Sequence, residues 1–389
     1  MVLLGRQPAL GLAELERLYG ADLLRPVTDT TAVVGKDPAD IDFARLGGTV
    51  KLAKVLASIN NTSWQSIIRY ITKSLPEHLE YIPEGKIRLG LNVYGFPVTV
   101  ADVNRTGLDI KKAIKKAGRS VRVVPNTNLE LNSAQTIHNQ LTGPTGLELV
   151  IVKDGPATLL AQVVRVQDIN AYAARDQARP KRDARVGMLP PKFAQTIVNL
   201  ATDPAAENNA YRLLDPFCGT GVILQEALLM GYDAYGTDLE PRMIDFTLTN
   251  LEWLAKNHEL KGTFSAEFGD ATNHKWTQPF DIVAGETYLG RPFSAEPPRD
   301  VLEEVIRDVD TIHRKFFKNL AKQTMPGQTA CLAVPAWMTK NGFKHLPALD
   351  SLEELGYTRM SFVHIRTEDL IYHREGQFVG RELVVVTRK

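Results

Sequence analysis

Apolar residues recur along this chain with two periods. Ile87, Leu89, Leu91 and Val93 take every second position, the spacing of a half-buried strand. Ile110, Ala113, Ile114 and Ala117 recur every three or four residues and predict one side of a short helix. The other side carries Lys111, Lys112, Lys115 and Lys116. Near the start, Val2 to Leu4 predicts a strand, Leu12, Leu15, Leu18 and Tyr19 share a helical face, and Thr31 to Gly35 predicts another strand. Residues 1–50 therefore read as a small α/β unit. Residues 51–168 read as a second unit, with further strands over 121–124, 147–152 and 159–166.

The period then disappears. Arg175-Asp176-Gln177-Ala178-Arg179-Pro180-Lys181-Arg182-Asp183-Ala184-Arg185 is polar and proline-punctuated, and residues 169–186 read as a linker or ordered connector. From Gly187 to Lys389 strands and helices alternate as in a doubly wound, mostly parallel α/β sheet of Rossmann-like type. Seven strands are expected, at 211–215, 233–237, 264–268, 280–284, 328–334, 359–365 and 381–387. Glu375-Gly376-Gln377 is too short for a crossover helix, so the last two strands should form an antiparallel hairpin.

Composition narrows the class. The 389 residues suffice for two or three domains. A formal net charge of +1 means that any nucleic-acid contact must come from a local basic face. Two cysteines, Cys218 and Cys331, exclude a disulfide scaffold and suit a reducing cytoplasm. The apolar N-terminus is interrupted at Arg6, Glu14 and Glu16, which argues against a secretory signal or a membrane span.

The richest stretch is Asp215-Pro216-Phe217-Cys218-Gly219-Thr220-Gly221, between Leu213-Leu214 and Val222-Ile223-Leu224. It predicts a buried strand, a glycine turn and a helix start. Without a Cβ, backbone in such a turn approaches a ligand closely. The chain lacks a G-x-x-x-x-G-K-[ST] phosphate loop, and the glycines of this turn are not spaced G-x-G-x-x-G for a dinucleotide. An acid opening the turn suits a ligand with a positive amino group and no phosphates; S-adenosylmethionine, with its ammonium, sulfonium and ribose, has that character. Asp238 at the end of the next strand would hold the ribose diol, and Asp270 in Gly269-Asp270-Ala271 the adenine amino group. The fourth piece is Phe280 to Gly290, after the fourth strand. Acids often cap strands, but four such pieces in order at successive strand ends favour cofactor binding over plain capping.

These motifs carry a resemblance. The C-terminal unit resembles class I S-adenosylmethionine-dependent methyltransferases, specifically amino-group methylases of nucleic acids. Arg175 to Ala201, with Gly187-Met188-Leu189-Pro190-Pro191-Lys192, resembles the stretch before the catalytic domain of THUMP-containing tRNA guanine-N2 methyltransferases. Residues 51–168 resemble the THUMP domain, and residues 1–50 its ferredoxin-like companion. The resemblance implies that Asp215, Phe217, Gly219 and Gly221 face the methionine part of the cofactor, Asp238 the ribose and Asp270 the adenine, with Pro190 in a wall closing over it. It implies tRNA as partner; a cytoplasmic location is expected from the cysteines, and no metal site is expected because no metal-binding motif occurs.

One loop departs from the family pattern of Asn or Asp, two prolines and an aromatic: here stand Glu286-Thr287-Tyr288-Leu289. A guanine amine is a weak nucleophile and needs an acceptor to orient it and an aromatic to stack on its base. Glu286 is the expected acceptor, Tyr288 the stacking surface, and Thr287 lies between them. Arg105, Lys111, Lys112, Lys115, Lys116, Arg119 and Arg122 supply the local basic density that phosphate contact needs, against one acid, Asp109. Arg175, Arg179, Lys181, Arg182 and Arg185 would extend that track.

Other chemistries find less support. No C-x-x-C, H-E-x-x-H or G-x-S-x-G occurs, and His138, His274, His313 and His373 are scattered. Cys218 reads as a small buried residue rather than a nucleophile. Two rivals to the tRNA methylase stay open: a non-catalytic RNA-binding protein with a vestigial methylase fold, and a DNA adenine or other amino-group methylase.

Overall fold

The alternating run at Ile87 is the strand it predicts. The computed structural model describes residues 1–183, 189–204, 211–293 and 295–389. They pack as two compact units. The first comprises Met1–Pro8, Asp22–Ala44 and Thr49–Ile169; the second comprises Ala9–Ala21, Arg45–Gly48 and Asn170–Lys389. Met188 and Arg185 fall outside the described residues.

The first unit holds one sheet of eight strands: β1 (Val2–Leu4), β2 (Leu24–Thr28), β3 (Thr31–Val34), β4 (Thr49–Ile59), β5 (Ile87–Tyr94), β6 (Val121–Val123), β7 (Gly146–Asp154) and β8 (Ala157–Val166). Their order is β2-β3-β1-β4-β8-β7-β5-β6, so the strands of residues 1–50 and those of residues 51–168 join one sheet. Helix α1 (Pro8–Tyr19) follows β1, and from Ala9 onward it belongs to the second unit. Its buried Glu14 explains this attachment: the carboxylate accepts the Gly47 and Gly48 N–H groups at 2.9 Å each and the Asn199 amide at 2.7 Å.

Helices α2 (Trp64–His78), α3 (Val100–Lys116) and α4 (Ser133–His138) complete the first unit. The helix expected around Ile110 is longer than its apolar pattern suggested. It starts at a reciprocal cap, with Thr99 Oγ1 accepting the Asp102 N–H at 3.2 Å and Asp102 Oδ2 accepting the Thr99 N–H at 3.0 Å. Its buried stripe is Val103, Thr106, Gly107, Ile110 and Ile114, whereas Ala117 is an exposed C-cap.

In the second unit, α5 (Ile169–Gln177) orders the stretch read as a connector, from Asn170 on. Then come α6 (Pro191–Ala201), β9 (Arg212–Asp215), α7 (Val222–Leu229), β10 (Asp233–Asp238), α8 (Pro241–Asn257), β11 (Phe264–Phe268), β12 (Ile282–Glu286), α9 (Arg299–Ala321), β13 (Thr329–Thr339), β14 (Gly342–Lys344), β15 (Tyr357–Arg359), β16 (Ile371–Tyr372) and β17 (Val379–Arg388). The sheet order is β11-β10-β9-β12-β13-β17-β15, with β14 on β13 and β16 on β17. The first five run parallel and β17 runs antiparallel to both its neighbours. This is the expected doubly wound, mostly parallel sheet, with seven strands along its main path.

Three strand expectations shift, the fifth strand running on to Thr339 instead of ending at 334. The fourth strand begins at Ile282 and runs to Glu286, because Asp281 is drawn into an ion pair with Arg212 at 2.6 Å. The sixth is only Tyr357–Arg359 rather than 359–365. Beyond it, the N–H groups of Val363 and His364 go to the Glu16 carboxylate at 2.6 and 3.0 Å instead of to a strand. The closing hairpin exists, but β16 pairs with β17 across Glu375-Gly376-Gln377. The core beneath the sheet centres on Phe316, Phe317, Trp337 and Tyr357.

Candidate functional site

Because β11, β10, β9 and β12 are parallel neighbours, the loops that follow them meet at one edge. That is the edge where open α/β sheets bind ligands. Asp215, Asp238, Asp270 and Glu286 all reach it, each at the end of its strand or two residues beyond.

Hydrogen bonds lock these loops together. Gly219 donates its N–H to Asp238 Oδ2 at 2.9 Å, and Cys218 donates to the Thr237 carbonyl at 2.9 Å. The Gly269 N–H goes to the Asp238 carbonyl at 3.0 Å, tying in the third loop. Gly219 and Gly221 both have positive φ, +52° and +83°. The two differ in surroundings. A Cβ on Gly221 would sit 3.1 Å from the Thr247 side chain, whereas on Gly219 the nearest atom would be 4.0 Å away. Gly221 is needed for the turn and its packing against α8; Gly219 leaves room for a ligand.

Asp215 is 1% exposed and forms no ion pair among the described residues. Its Oδ1 accepts the Phe217 N–H at 3.1 Å. Gly285 makes way for it, since a Cβ there would lie 2.7 Å from Oδ1. Burial pushes the Asp215 carboxyl well above the usual carboxylate range; the Phe217 N–H opposes this, and Asp238 and Glu286 add repulsion. The Asp238 carboxyl is also raised by burial, against the N–H groups of Glu240 and Gly219. A buried carboxyl beside two more acids, with no cation of its own, is the receptor a cationic ligand requires.

The other expected cofactor residues differ in their freedom. Asp270 caps its own turn, accepting the Thr272 N–H at 2.9 Å and the Asn273 amide at 3.3 Å. Phe217 packs edge-on against Phe316, with ring centroids 4.9 Å apart. Pro190 is the N-cap of α6, its carbonyl accepting from Phe193 and Ala194 at 3.0 Å each. Cys218 is buried, with its thiol pushed up by desolvation, as a small packing residue would be.

In the departing loop the three residues separate. Glu286 forms an ion pair with Arg381 Nε. Thr287 is buried: its N–H reaches the Ala333 carbonyl at 3.0 Å and its hydroxyl contacts His313 Nε2 at 2.7 Å. His313 Nδ1 faces the Val309 carbonyl at 2.8 Å, so Nδ1 carries the proton and Nε2 accepts from Thr287. Tyr288 is 46% exposed. Sequence reasoning set His313 aside and overlooked Arg381 and Thr247. A lone arginine before the apolar run Leu383 to Val386 was the available signal for Arg381.

The expected RNA-contacting residues are also unequal. Lys112, Lys115, Lys116 and Arg122 are exposed, Lys111 is half-buried, and Lys112 pairs with Asp109 at 2.9 Å. Arg119 turns inward to the carbonyls of Leu79 and Ile82 at 3.3 and 3.1 Å, and also reaches that of Pro83. Arg182 is exposed in the second unit. Arg175 and Arg179 do not extend a free basic track: Arg175 pairs with buried Glu226 at 2.9 Å, and Arg179 is 3% exposed.

Comparison with known proteins agrees with this geometry. Residues 179–336 match the RMKL-like methyltransferase domain family. A tRNA (guanine(10)-N2)-dimethyltransferase of Methanothermobacter thermautotrophicus is 32% identical over 166 residues, 42% of this chain and 44% of that protein. The enzyme of the same name from Pyrococcus abyssi is 26% identical over 291 residues, 69% of this chain and 78% of that one. The first of these alignments thus spans under half of the relative's length. The structure of TrmN from Thermus thermophilus superposes with a TM-score of 0.54 at 17% identity, covering 100% of this chain and 98% of that one. The chain therefore shares the fold of that methyltransferase, and residues 179–336 match the RMKL-like methyltransferase domain.

Proposed function

We propose that this protein is an S-adenosylmethionine-dependent tRNA methyltransferase acting on the exocyclic N2 amine of a guanine. The observation that carries the reading is Asp215: a buried carboxyl without a cation, beside a glycine turn whose Gly219 N–H is fixed to Asp238. Asp215 would hold the ammonium of the cofactor, Asp238 the ribose hydroxyls through its remaining acceptor capacity, and the Asp270 turn the adenine. The bound cofactor supplies an electrophilic methyl group. The protein's own work is to hold the target amine in line and to accept its hydrogens, a positioning and electrostatic task. Glu286 is the acceptor at the correct strand end, and exposed Tyr288 is the available stacking surface. The target base must leave its stack to reach them.

The tRNA substrate is supported by the two archaeal relatives' names and by the exposed Lys112, Lys115, Lys116 and Arg122 of the first unit. Among the described residues no helix is long and apolar enough to cross a membrane. Purified protein with bulk tRNA and methyl-labelled cofactor tests the reading, with nucleoside mass spectrometry for N2-methylated guanosine. Cofactor binding without label transfer to any RNA sinks it. The engagement of Glu286 by Arg381 favours one second reading, a binding protein that no longer transfers methyl groups. RNA-dependent function that survives both Asp238→Ala and Glu286→Ala would establish that alternative.

A further inference from the structure

The Glu286–Arg381 pair has unused hydrogen-bonding capacity. Glu286 gives Oε1 to Arg381 Nε, and Oε2 has no hydrogen-bond partner among the described residues. Arg381 is 8% exposed, yet only its Nε is engaged, leaving both terminal nitrogens of the guanidinium without a protein acceptor. The small exposed part of this mostly buried pair therefore carries donors and an acceptor open to a ligand, at the sheet edge where such folds bind one.

The register explains how the two side chains meet. Glu286 pairs with Ala333 on β13, and Arg381 pairs with Pro335 on the same strand. Ala333 and Pro335 are two residues apart, so all four side chains share one face. Alanine and proline are short, so the longer side chains of Glu286 and Arg381 can meet across β13. Tyr372 pairs with Arg381 from the other side and stacks on Phe193 at 4.2 Å, giving that face an aromatic flank.

We propose that Arg381 is the specificity-determining residue of this site: its free guanidinium nitrogens donate to O6 of a guanine while Glu286, fixed by Arg381, accepts from N1–H and N2–H. The inference rests on the methyltransferase reading for the site's purpose, but the recognition pattern stands on the pair itself. Guanine presents one acceptor and then two donors along that edge. Adenine presents a donor and then an acceptor, so it meets this pair with like groups opposed. Burial raises the Glu286 carboxyl, Arg381 and Arg374 oppose that, and Asp215 is the acid nearest on the β9 side.

Ligand-observed NMR titration of the full-length protein, saturated with S-adenosylhomocysteine, tests this with guanosine, 2-aminopurine riboside and adenosine. Guanosine should bind about tenfold better than either rival, since 2-aminopurine keeps the amine but lacks O6 and N1–H. Arg381→Gln should abolish that preference, and Glu286→Gln should weaken guanosine while sparing adenosine. Arg381→Lys, which keeps charge but loses the planar fork, should retain a reduced preference. S-adenosylhomocysteine affinity and melting temperature report whether each variant remains folded. Equal binding of the three nucleosides by the wild type, or an intact preference in folded Arg381→Gln, overturns the proposal. A guanosine preference in protein that transfers no methyl group would instead overturn the enzymatic reading and leave this one standing.

Discussion

Asp215→Asn should make the ligand-free protein more stable and the cofactor bind more weakly. The replacement is nearly isosteric, so Gly285 still accommodates it, and the Asn Oδ1 can keep the Phe217 N–H. What changes is charge and one oxygen. In the wild type the buried carboxyl faces Asp238 and Glu286, and Asp215 itself has no ion-pair partner among the described residues. Raising this carboxyl by burial subtracts from stability at neutral pH. Its folded value lies above its unfolded one. The penalty is therefore absent in acid, below the unfolded value, and grows through the interval up to the folded value. The variant removes that penalty. Against this, a cationic ligand loses a charge-assisted hydrogen bond worth about 1.5–3 kcal/mol, or about 10- to 150-fold in Kd. Calorimetric titration with S-adenosylmethionine reads the second effect, and thermal unfolding between pH 5 and pH 8 reads the first. The reasoning fails if Asp215→Asn binds the cofactor as tightly as the wild type. It fails equally if the variant, folded, melts lower than the wild type at neutral pH.

Burial lowers the imidazole of His313 to about 4, so stability should fall as pH drops from about 6.5 towards 4. That loss is about 2 kcal/mol by pH 5. His313→Gln should flatten this part of the pH–stability curve, and an unchanged slope in denaturant melts would count against the assignment. Gly221→Ala, forced to hold φ +83° against Thr247 at 3.1 Å, should destabilise the domain by about 1–2 kcal/mol and weaken cofactor binding. Gly219→Ala, at φ +52° with open space, should disturb the melt less than it disturbs cofactor affinity. Lys115→Gln with Lys116→Gln should reduce the salt dependence of tRNA binding by about two in log–log slope. Arg119→Gln should instead lower the melting temperature, because its guanidinium serves backbone carbonyls.

Much of this was legible in sequence because strand-end chemistry is local. Asp215, Gly219, Gly221 and Asp238 lie within one strand–turn–helix–strand unit, and their types and spacing state their geometry. Alternation of apolar residues located β5, and the strands expected at 211–215, 233–237 and 264–268 match β9, β10 and β11 to within a residue. What escaped has a shared cause, namely partners far away in sequence. Glu16 takes the backbone of Val363 and His364, 347 and 348 residues on, and so replaces an expected strand by a loop. Glu226, buried in α7, takes Arg175 out of the basic track. The Leu79–Ile82 turn takes Arg119. In each case a charged residue that looks solvated in sequence is bound to a group that no local period reveals. α1 joins the second unit by the same route, through Glu14, read in sequence only as a break in the apolar N-terminus.

The loop after β12 shows how such distant partners substitute for local rigidity. A proline stiffens a loop by fixing φ, and it has no N–H to place. Thr287 does have one, and the Ala333 carbonyl takes it, which extends the contact between β12 and β13 one residue past Glu286. Its hydroxyl is fixed by His313 of α9, and Glu286 by Arg381 of β17. Three separate elements thus determine a loop that two prolines would determine alone. A proline at 287 would remove both the N–H and the hydroxyl and strand Nε2 of a buried imidazole, so the loop cannot regain the family pattern by that single change. Rigidity from three tertiary contacts also ties the acceptor's position to the last strand of the fold. Arg381 stands on that strand and fixes Glu286 directly. If Arg381 reads the target base as proposed, the altered loop is a rebuilt pocket; if folded Arg381→Gln keeps the nucleoside preference, the same contacts are what remains of an eroded one.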